Sequence, residues 1–303
     1  MPLAGFDQLY RDADARPNPV PVAAAGGADG TVLEALGAAR DRGWVAPIVA
    51  GPAAAIRAAA GACGVDLAGF RVIDAEGEDA ARAAVAEVRA GRAAMLMKGK
   101  VATPDLMRAV LDPEIGLRGG KAICQVVLME IPRDGRRFLL ADTGVMIRPN
   151  FAKKAEVLKH AVGVAHALGA PEPLVALMAA SETPTTAMPE TVDAAEFQRR
   201  NRAGEFPGCV IQGPLSFDLA YAADAADKKR IEGPVVGAAD VMVFPDLASA
   251  NLTVKAIMYT ADCRFGGVLR GTTHPVVFMS RADTAATRLN SLALALKLVD
   301  DGA

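Results

Sequence analysis

The sequence is poor in the residues that most often announce chemistry. Among 303 residues there are four cysteines and three histidines. Cys63, Cys124, Cys209 and Cys263 are widely spaced and form no CxxC pair. That excludes a disulfide framework or a thiolate zinc site and fits buried thiols in a reducing compartment. His160 and His166 are six apart on a predicted helix, which turns them to opposite faces, so no metal site is expected. Charge of one sign is lacking too: 33 basic and 35 acidic residues leave a net −2. Nucleic acid and membrane surfaces both call for a basic field, so neither is an expected partner. No apolar run reaches the ~20 residues a bilayer needs. The first eight residues lack the basic and apolar regions of a secretory leader, and the expected location is the cytoplasm. Neither HExxH nor GxSxG occurs. Gly99-Lys100 is followed by Val101 and preceded by no glycine five residues earlier, so it is not a Walker A loop.

What the chain does have is a 52% hydrophobic composition, and at this length about three quarters of the unfolded surface is buried, in one large core or two. Short apolar runs alternate with longer alanine-rich amphipathic ones. Strands are predicted at 19–24, 46–49, 71–74, 93–97, 123–130, 137–141, 173–179, 209–212, 241–244, 267–269 and 276–279. Helices are predicted at 31–42, 53–61, 78–89, 104–111, 151–168, 192–202, 217–229, 249–260 and 282–298. Continuous apolar strands between helices predict an α/β fold with mostly parallel sheets and helices on both faces. Arg133-Asp-Gly-Arg136 is a hairpin signal that should add an antiparallel pair. A domain junction is expected at 147/148, where Met146-Ile-Arg-Pro-Asn150 precedes a long helix. The glycine-rich loop at 26–30 lacks GxGxxG spacing, and Asp29 would repel a pyrophosphate. It reads better as a βα turn with Asp29 as N-cap.

Four segments at predicted strand ends are less well explained by packing. In 97–108, Thr103 is a candidate N-cap with Pro104 at N1, so free helix N–H groups point into the loop and Arg108 could reach the same anion. In 277–283, Ser280-x-x-Asp283 reads as a variant capping box, yet Arg281 in a first helical turn opposes the macrodipole unless an anion sits against it. In 245–255, Asn251 and Lys255 share a helical face. In 212–218, Gly213 and Pro214 punctuate a strand end. Ligands of open α/β sheets collect at the carboxyl ends of strands. Polar and cationic residues at several such ends imply a site for an anionic substrate.

An ordered series of short motifs, from about Thr31 to Leu298, resembles the phosphate acetyltransferase and phosphate butyryltransferase family. It comprises Lys98-Gly99, Ala102-Thr103 with Arg108, Ala141-Asp142-Thr143-Gly144, Arg148-Pro149 with Lys154, and Glu182. Further on come Met188-Pro-Glu-Thr191, Gly213-Pro-Leu215 with Asp218, Lys228, Pro245-Asp246, Asn251 with Lys255, and Ser280-Arg-Ala-Asp283. Met188-Pro-Glu-Thr191, Gly213-Pro-Leu215 and Ser280-Arg-Ala-Asp283 look more like the butyryl branch. The resemblance implies two α/β/α domains around a central cleft, as in isocitrate and isopropylmalate dehydrogenases. The C-terminal helix would return to the first domain, giving 1–147 plus 280–303 and 148–279. It also implies a homodimeric enzyme that moves a short acyl group between coenzyme A and inorganic phosphate, with no cofactor besides these substrates.

On that resemblance Ser280 and Arg281 are catalytic. Lys98, Thr103, Arg108, Asp142, Thr143, Gly213, Asn251 and Lys255 bind CoA or phosphate. The acetyl members carry an aspartate seven residues beyond the serine, where this chain has Thr287. Either no carboxylate base is needed, phosphate being largely dianionic, or another group serves. Two other functions are compatible with the chain: a non-catalytic acyl-CoA or acyl-phosphate binding protein, and an NAD-dependent decarboxylating dehydrogenase of the same fold. The latter would need clustered metal-binding carboxylates and a tyrosine–lysine pair.

Overall fold

A computed structural model describes residues 2–280 and 282–300. The chain is mixed α/β and divides into two compact units: a terminal one of residues 6–121 and 265 onward, and a central one of residues 1–5 and 122–264.

The terminal unit opens with α1 (Phe6–Asp14), β1 (Val20–Ala25), α2 (Gly30–Asp41), β2 (Val45–Gly51), α3 (Ala53–Cys63) and β3 (Arg71–Asp74). Next come α4 (Gly77–Arg89), β4 (Met95–Lys98) and α5 (Thr103–Val110). The chain then builds the central unit from β5 (Cys124–Ile131), β6 (Arg136–Ala141), α6 (Phe151–Ala167), β7 (Leu174–Met178) and α7 (Pro189–Arg202). To these it adds β8 (Val210–Leu215), α8 (Phe217–Tyr221), α9 (Ala223–Lys229), β9 (Val241–Val243) and α10 (Leu247–Thr260). Through β10 (Arg264–Arg270), β11 (Val276–Val277) and α11 (Ala285–Asp300) it returns to the terminal unit.

In the terminal unit the strands lie in the order β3-β2-β1-β4-β11-β10, all neighbours parallel except β10–β11. In the central unit the order is β5-β6-β9-β7-β8, parallel except for β5–β6. The expected hairpin is therefore present: Arg136 and Ile131 face each other across a turn in which Gly135 takes φ 69°. The β10–β11 pair was not expected, because two residues of pairing leave no readable pattern.

Burial explains the strands. All four residues of β4 and five of the six in β1 are buried, the run expected of a sheet covered on both faces. Helix starts follow from capping. Asp29 accepts the Val32 N–H before α2, Asn150 that of Lys153 before α6, and Asp246 that of Ser249 before α10. The helix expected at 217–229 breaks at Ala222, whose backbone is extended, leaving α8 and α9.

The junction expected at 147/148 falls inside the central unit. Its physical reason is the hairpin: β6 is paired along its whole length with Val126–Ile131 of β5, so 122–147 stays with the strands that follow it. Likewise β10 and β11 remain with the terminal unit, because β11 pairs with β4. α11 packs on α1 and α2.

Candidate active site

In the terminal unit, three adjacent strand ends carry the expected residues. β1, β4 and β11 run parallel, with Ala25 opposite Lys98 and Val277 opposite Met97. The loops after Ala25, Lys98 and Val277 therefore leave the sheet on one edge. The first two loops touch: the Gly99 N–H donates to Ala25 O at 2.8 Å and the Lys100 N–H to Gly26 O at 2.7 Å. A Cβ on Gly99 would lie 2.3 Å from Gly26 O, and one on Gly26 (φ 82°) 2.6 Å from the Lys100 carbonyl carbon. Close backbone approach accounts for both glycines. Asp29 caps α2 as expected and also accepts the Thr31 hydroxyl at 2.7 Å. Burial raises its pKa, but the Thr31 and Val32 bonds and the charge on Arg288 outweigh that and hold it low.

Lys98 closes β4 and is buried. Thr103 does not cap α5. It is the first helical residue, Ala102 occupies the cap without a side-chain bond, and Pro104 follows in the first turn. Proline brings no N–H, so this end has one donor fewer to satisfy. Thr103 and Arg108 are both exposed. The Arg108 guanidinium lies 2.8 Å from Glu78 and 3.3 Å from Asp105, two carboxylates that an incoming anion must displace.

Beyond β11, the Ser280 N–H donates to Asp283 Oδ2 at 2.6 Å, and the Ala282 N–H to Ser280 Oγ at 3.3 Å. Half of the capping box read from Ser280-x-x-Asp283 is thus formed: the Asp283 carboxylate takes the Ser280 N–H, but the Asp283 N–H goes to the Ser280 carbonyl rather than its hydroxyl, and the turn stands apart from the helix. α11 begins at Ala285, and Thr284 caps it by accepting the Thr287 N–H at 3.2 Å. Thr287 shares a second bond with Thr284, hydroxyl to hydroxyl at 3.0 Å, so the position where a base would stand holds a buried first-turn residue engaged by the cap. Arg281 lies outside the described residues.

The central unit gathers Asp142, Thr143 and Asn251. Asp142 is 4% exposed, and its carboxylate accepts four backbone N–H groups: Gln125 at 2.9 Å, Gly144 at 3.0 Å, Val145 at 3.2 Å and Met146 at 2.7 Å. Burial pushes its pKa up against the pull of these donors. Thr143 is buried beside it and donates its hydroxyl to Gln125 Oε1 at 3.1 Å. Asn251 Nδ2 donates to Thr143 O at 3.0 Å. Asp142 therefore shapes the 143–146 loop, with its carboxylate turned into that loop. Lys255, one turn beyond Asn251 on α10, is exposed.

Gly213 is demanded by packing. A Cβ there would lie 2.6 Å from Leu177 Cβ, and its N–H donates to Gln198 Oε1 at 2.9 Å. Near the ends of β7 and β8, Ser216 Oγ donates to Glu182 Oε1 at 2.7 Å, while Lys229 Nζ lies 3.0 Å from both Glu182 and Asp218. Lys228, part of the motif series, instead pairs with Asp224 on its own helix at 3.1 Å.

Two contributors escaped the sequence reading. Gln125 links Asp142 and Thr143 from a neighbouring strand, a role set by strand pairing that no local motif displays. Arg288 is 1% exposed and donates to Thr31 Oγ1 at 3.0 Å, Lys98 O at 3.3 Å and Ser280 O at 3.2 Å. Its available signal was a lone arginine heading an otherwise apolar stretch, LNSLALALKL. Among the described residues, no group of three or more His, Cys, Asp or Glu is placed to hold a metal ion, and no helix is long and apolar enough to cross a membrane.

Residues 77–296 match the family described as phosphate acetyl/butaryl transferase. A phosphate butyryltransferase of Clostridium acetobutylicum is 38% identical over 90% of this chain and 91% of its own. The chain belongs to the phosphate acetyl/butyryl transferase family. A phosphate acetyltransferase of Thermotoga maritima is 39% identical over 74% of this chain and 76% of its own. Among solved structures, a branched-chain phosphotransacylase from Enterococcus faecalis V583 superposes with a TM-score of 0.80 at 29% identity, covering 92% of this chain and 99% of that one. The family match takes in Lys98 through Arg281, whereas the 26–30 loop lies outside it.

Proposed function

We propose that the protein moves a short acyl group between coenzyme A and inorganic phosphate, acyl-CoA and phosphate giving acyl phosphate and CoA. The observation that carries this reading is the 38% identity to a phosphate butyryltransferase along nearly the whole of both chains. In the reaction a phosphate oxygen attacks the thioester carbonyl carbon. The new C–O bond forms as the carbonyl electron pair moves to oxygen. Collapse of that oxyanion breaks the C–S bond, and the leaving thiolate takes up a proton. Phosphate is already a nucleophile, so the protein has to hold two anions in line and stabilise the oxyanion.

Arg281 is assigned to grip phosphate and the developing charge through its planar fork. Ser280 is assigned to donate to the oxyanion or the departing sulfur. Its N–H bond to Asp283 supports this, since it anchors the backbone, while among the described residues the hydroxyl takes one long contact, from the Ala282 N–H at 3.3 Å. Lys98, Thr103, Arg108, Asn251 and Lys255 are assigned to CoA or phosphate. Asp142, Thr143 and Gly213 contribute through the shape of the backbone that presents them. The reaction calls for no metal or redox group, and the protein is proposed to act in the cytoplasm. A second copy of the chain is proposed to cover α10, where Leu252 and Tyr259, two turns apart on one face, are 69% and 76% exposed.

The test is phosphate-dependent release of CoA from acetyl-, propionyl-, butyryl- and crotonyl-CoA, by wild type and Arg281→Ala. Losing one such donor costs about 3–4 kcal/mol of transition-state stabilisation, roughly 10²–10³ in turnover. Release that ignores phosphate would identify a thioesterase, and CoA binding without release a binding protein; either result overturns the reading.

A further inference from the structure

Arg288 is among the largest fully buried side chains of the chain. Burial pulls its pKa down, and the charges of Asp29 and Asp283 pull it back up. Stability alone explains such a group poorly, because well-packed apolar residues often replace buried charges without loss. Its three bonds go to three segments far apart in sequence: Nε to Thr31 at the start of α2, Nη1 to the carbonyl of Lys98, and Nη2 to the carbonyl of Ser280.

Those two carbonyls stand where the sheet gives out. The β4–β11 ladder ends at Met97 opposite Val277, and β11 is only two residues long. The β4–β11 register pairs no residue beyond that point. The guanidinium takes over as a rigid fork that sets one carbonyl against the other. Its third arm ties both to the α2 cap, where Thr31 in turn donates to Asp29 at 2.7 Å. From the opposite side, Asp283 holds the Ser280 N–H at 2.6 Å. Ser280 is thus gripped at its carbonyl by Arg288 and at its N–H by Asp283.

We propose that Arg288 is a positioning residue for acyl transfer, setting the Ser280 loop against the Lys98 strand end. The proposal rests on the transfer reading given above. Arg288 touches no reacting atom, and its effect reaches the chemistry through where Ser280 stands.

Three variants test this: Arg288→Lys, which keeps the charge but loses the fork, Thr31→Val, which removes one of its three acceptors, and Thr31→Ser, which restores that acceptor. Each is assayed for phosphate-dependent CoA release well below its own melting temperature, with kcat and KM measured separately. A displacement of about 1 Å at a reacting group costs on the order of 10²-fold. Arg288→Lys should therefore lose about that much kcat with KM for acyl-CoA little changed. Thr31→Val should lose less, and Thr31→Ser should recover wild-type kcat. Should Arg288→Lys not fold, the Thr31 pair alone decides. An active wild type matched in kcat by folded Arg288→Lys, or by Thr31→Val in that case, overturns the assignment, whatever happens to the melting temperature. A wild type that releases no CoA overturns the transfer reading and this assignment with it.

Discussion

Replacing Asp142 by asparagine probes how the 143–146 loop is held. The carboxylate divides its work unevenly: Oδ1 accepts from Gln125, Gly144 and Val145, and Oδ2 from Met146 at 2.7 Å. An asparagine can keep its oxygen on the first three donors, but its NH₂ then faces the Met146 N–H, donor against donor. Turning the amide over saves that bond and abandons three. The better arrangement loses one charge-assisted bond, about 1.5–3 kcal/mol, and weakens three others by about 1 kcal/mol each. Part of this is returned, because a neutral amide is easier to bury than the carboxylate whose pKa burial pushes up. The net expectation is a loss of about 3 kcal/mol, which for a domain of this size lowers Tm by roughly 6–12 °C. Thermal and urea unfolding of Asp142→Asn measure it directly. Asn251→Ala, which frees the Thr143 carbonyl, should couple to it in a double-mutant cycle by more than about 0.5 kcal/mol, since both side chains hold one loop. An Asp142→Asn variant as stable as wild type, or a pair that is simply additive, would refute the reasoning.

The Glu182–Ser216–Asp218–Lys229 cluster should show in acid. The Ser216 hydroxyl and Lys229 hold both carboxyls below their ordinary values, so the stability they contribute is complete above those values and is lost as pH falls through the lowered ones. Lys229→Met should melt below wild type at pH 7, with the gap closing as pH drops toward 3; a gap constant across that range contradicts the assignment. For the proposed second copy on α10, Leu252→Glu buries a charge if the face is covered and changes little if it is bare. Sedimentation should show a dimer converted to monomer, and a wild type that sediments as a monomer rules the interface out.

How much of this was legible in the sequence depended on the reach of the interaction involved. Buried strands announce themselves as apolar runs, and all of β1 to β11, the largely uncovered β3 included, were found within a few residues at each end. Caps act over three or four residues, and Asp29 and the Ser280–Asp283 turn were readable for that reason. Where helices begin was less so. α5 starts one residue before the place its proline suggests, with Ala102 rather than Thr103 at the cap, and the turn after β11 postponed α11 to Ala285. The candidate residues themselves were visible as types at strand ends, but their orientation was not. Asp142 looks like a ligand in the sequence and faces its own loop in the fold, because the Gln125 N–H comes from a partner strand. Gly213 looks like loop punctuation and is in fact the place where β8 passes Leu177 too closely for a side chain.

Arg288 is the extreme case. All three of its acceptors lie outside its own helix, one of them 257 residues away in sequence, and two are backbone carbonyls that carry no residue signature at all. A motif reports the side chains that meet a ligand and is silent about the carbonyls that hold those side chains in register. Where a parallel ladder stops after two residues, as between β4 and β11, something other than the sheet must set the loops beyond it. Arg288 bonds the carbonyls of both Lys98 and Ser280 there. For that reason the kcat of Arg288→Lys, more than its melting temperature, separates a support for the fold from a support for the reaction.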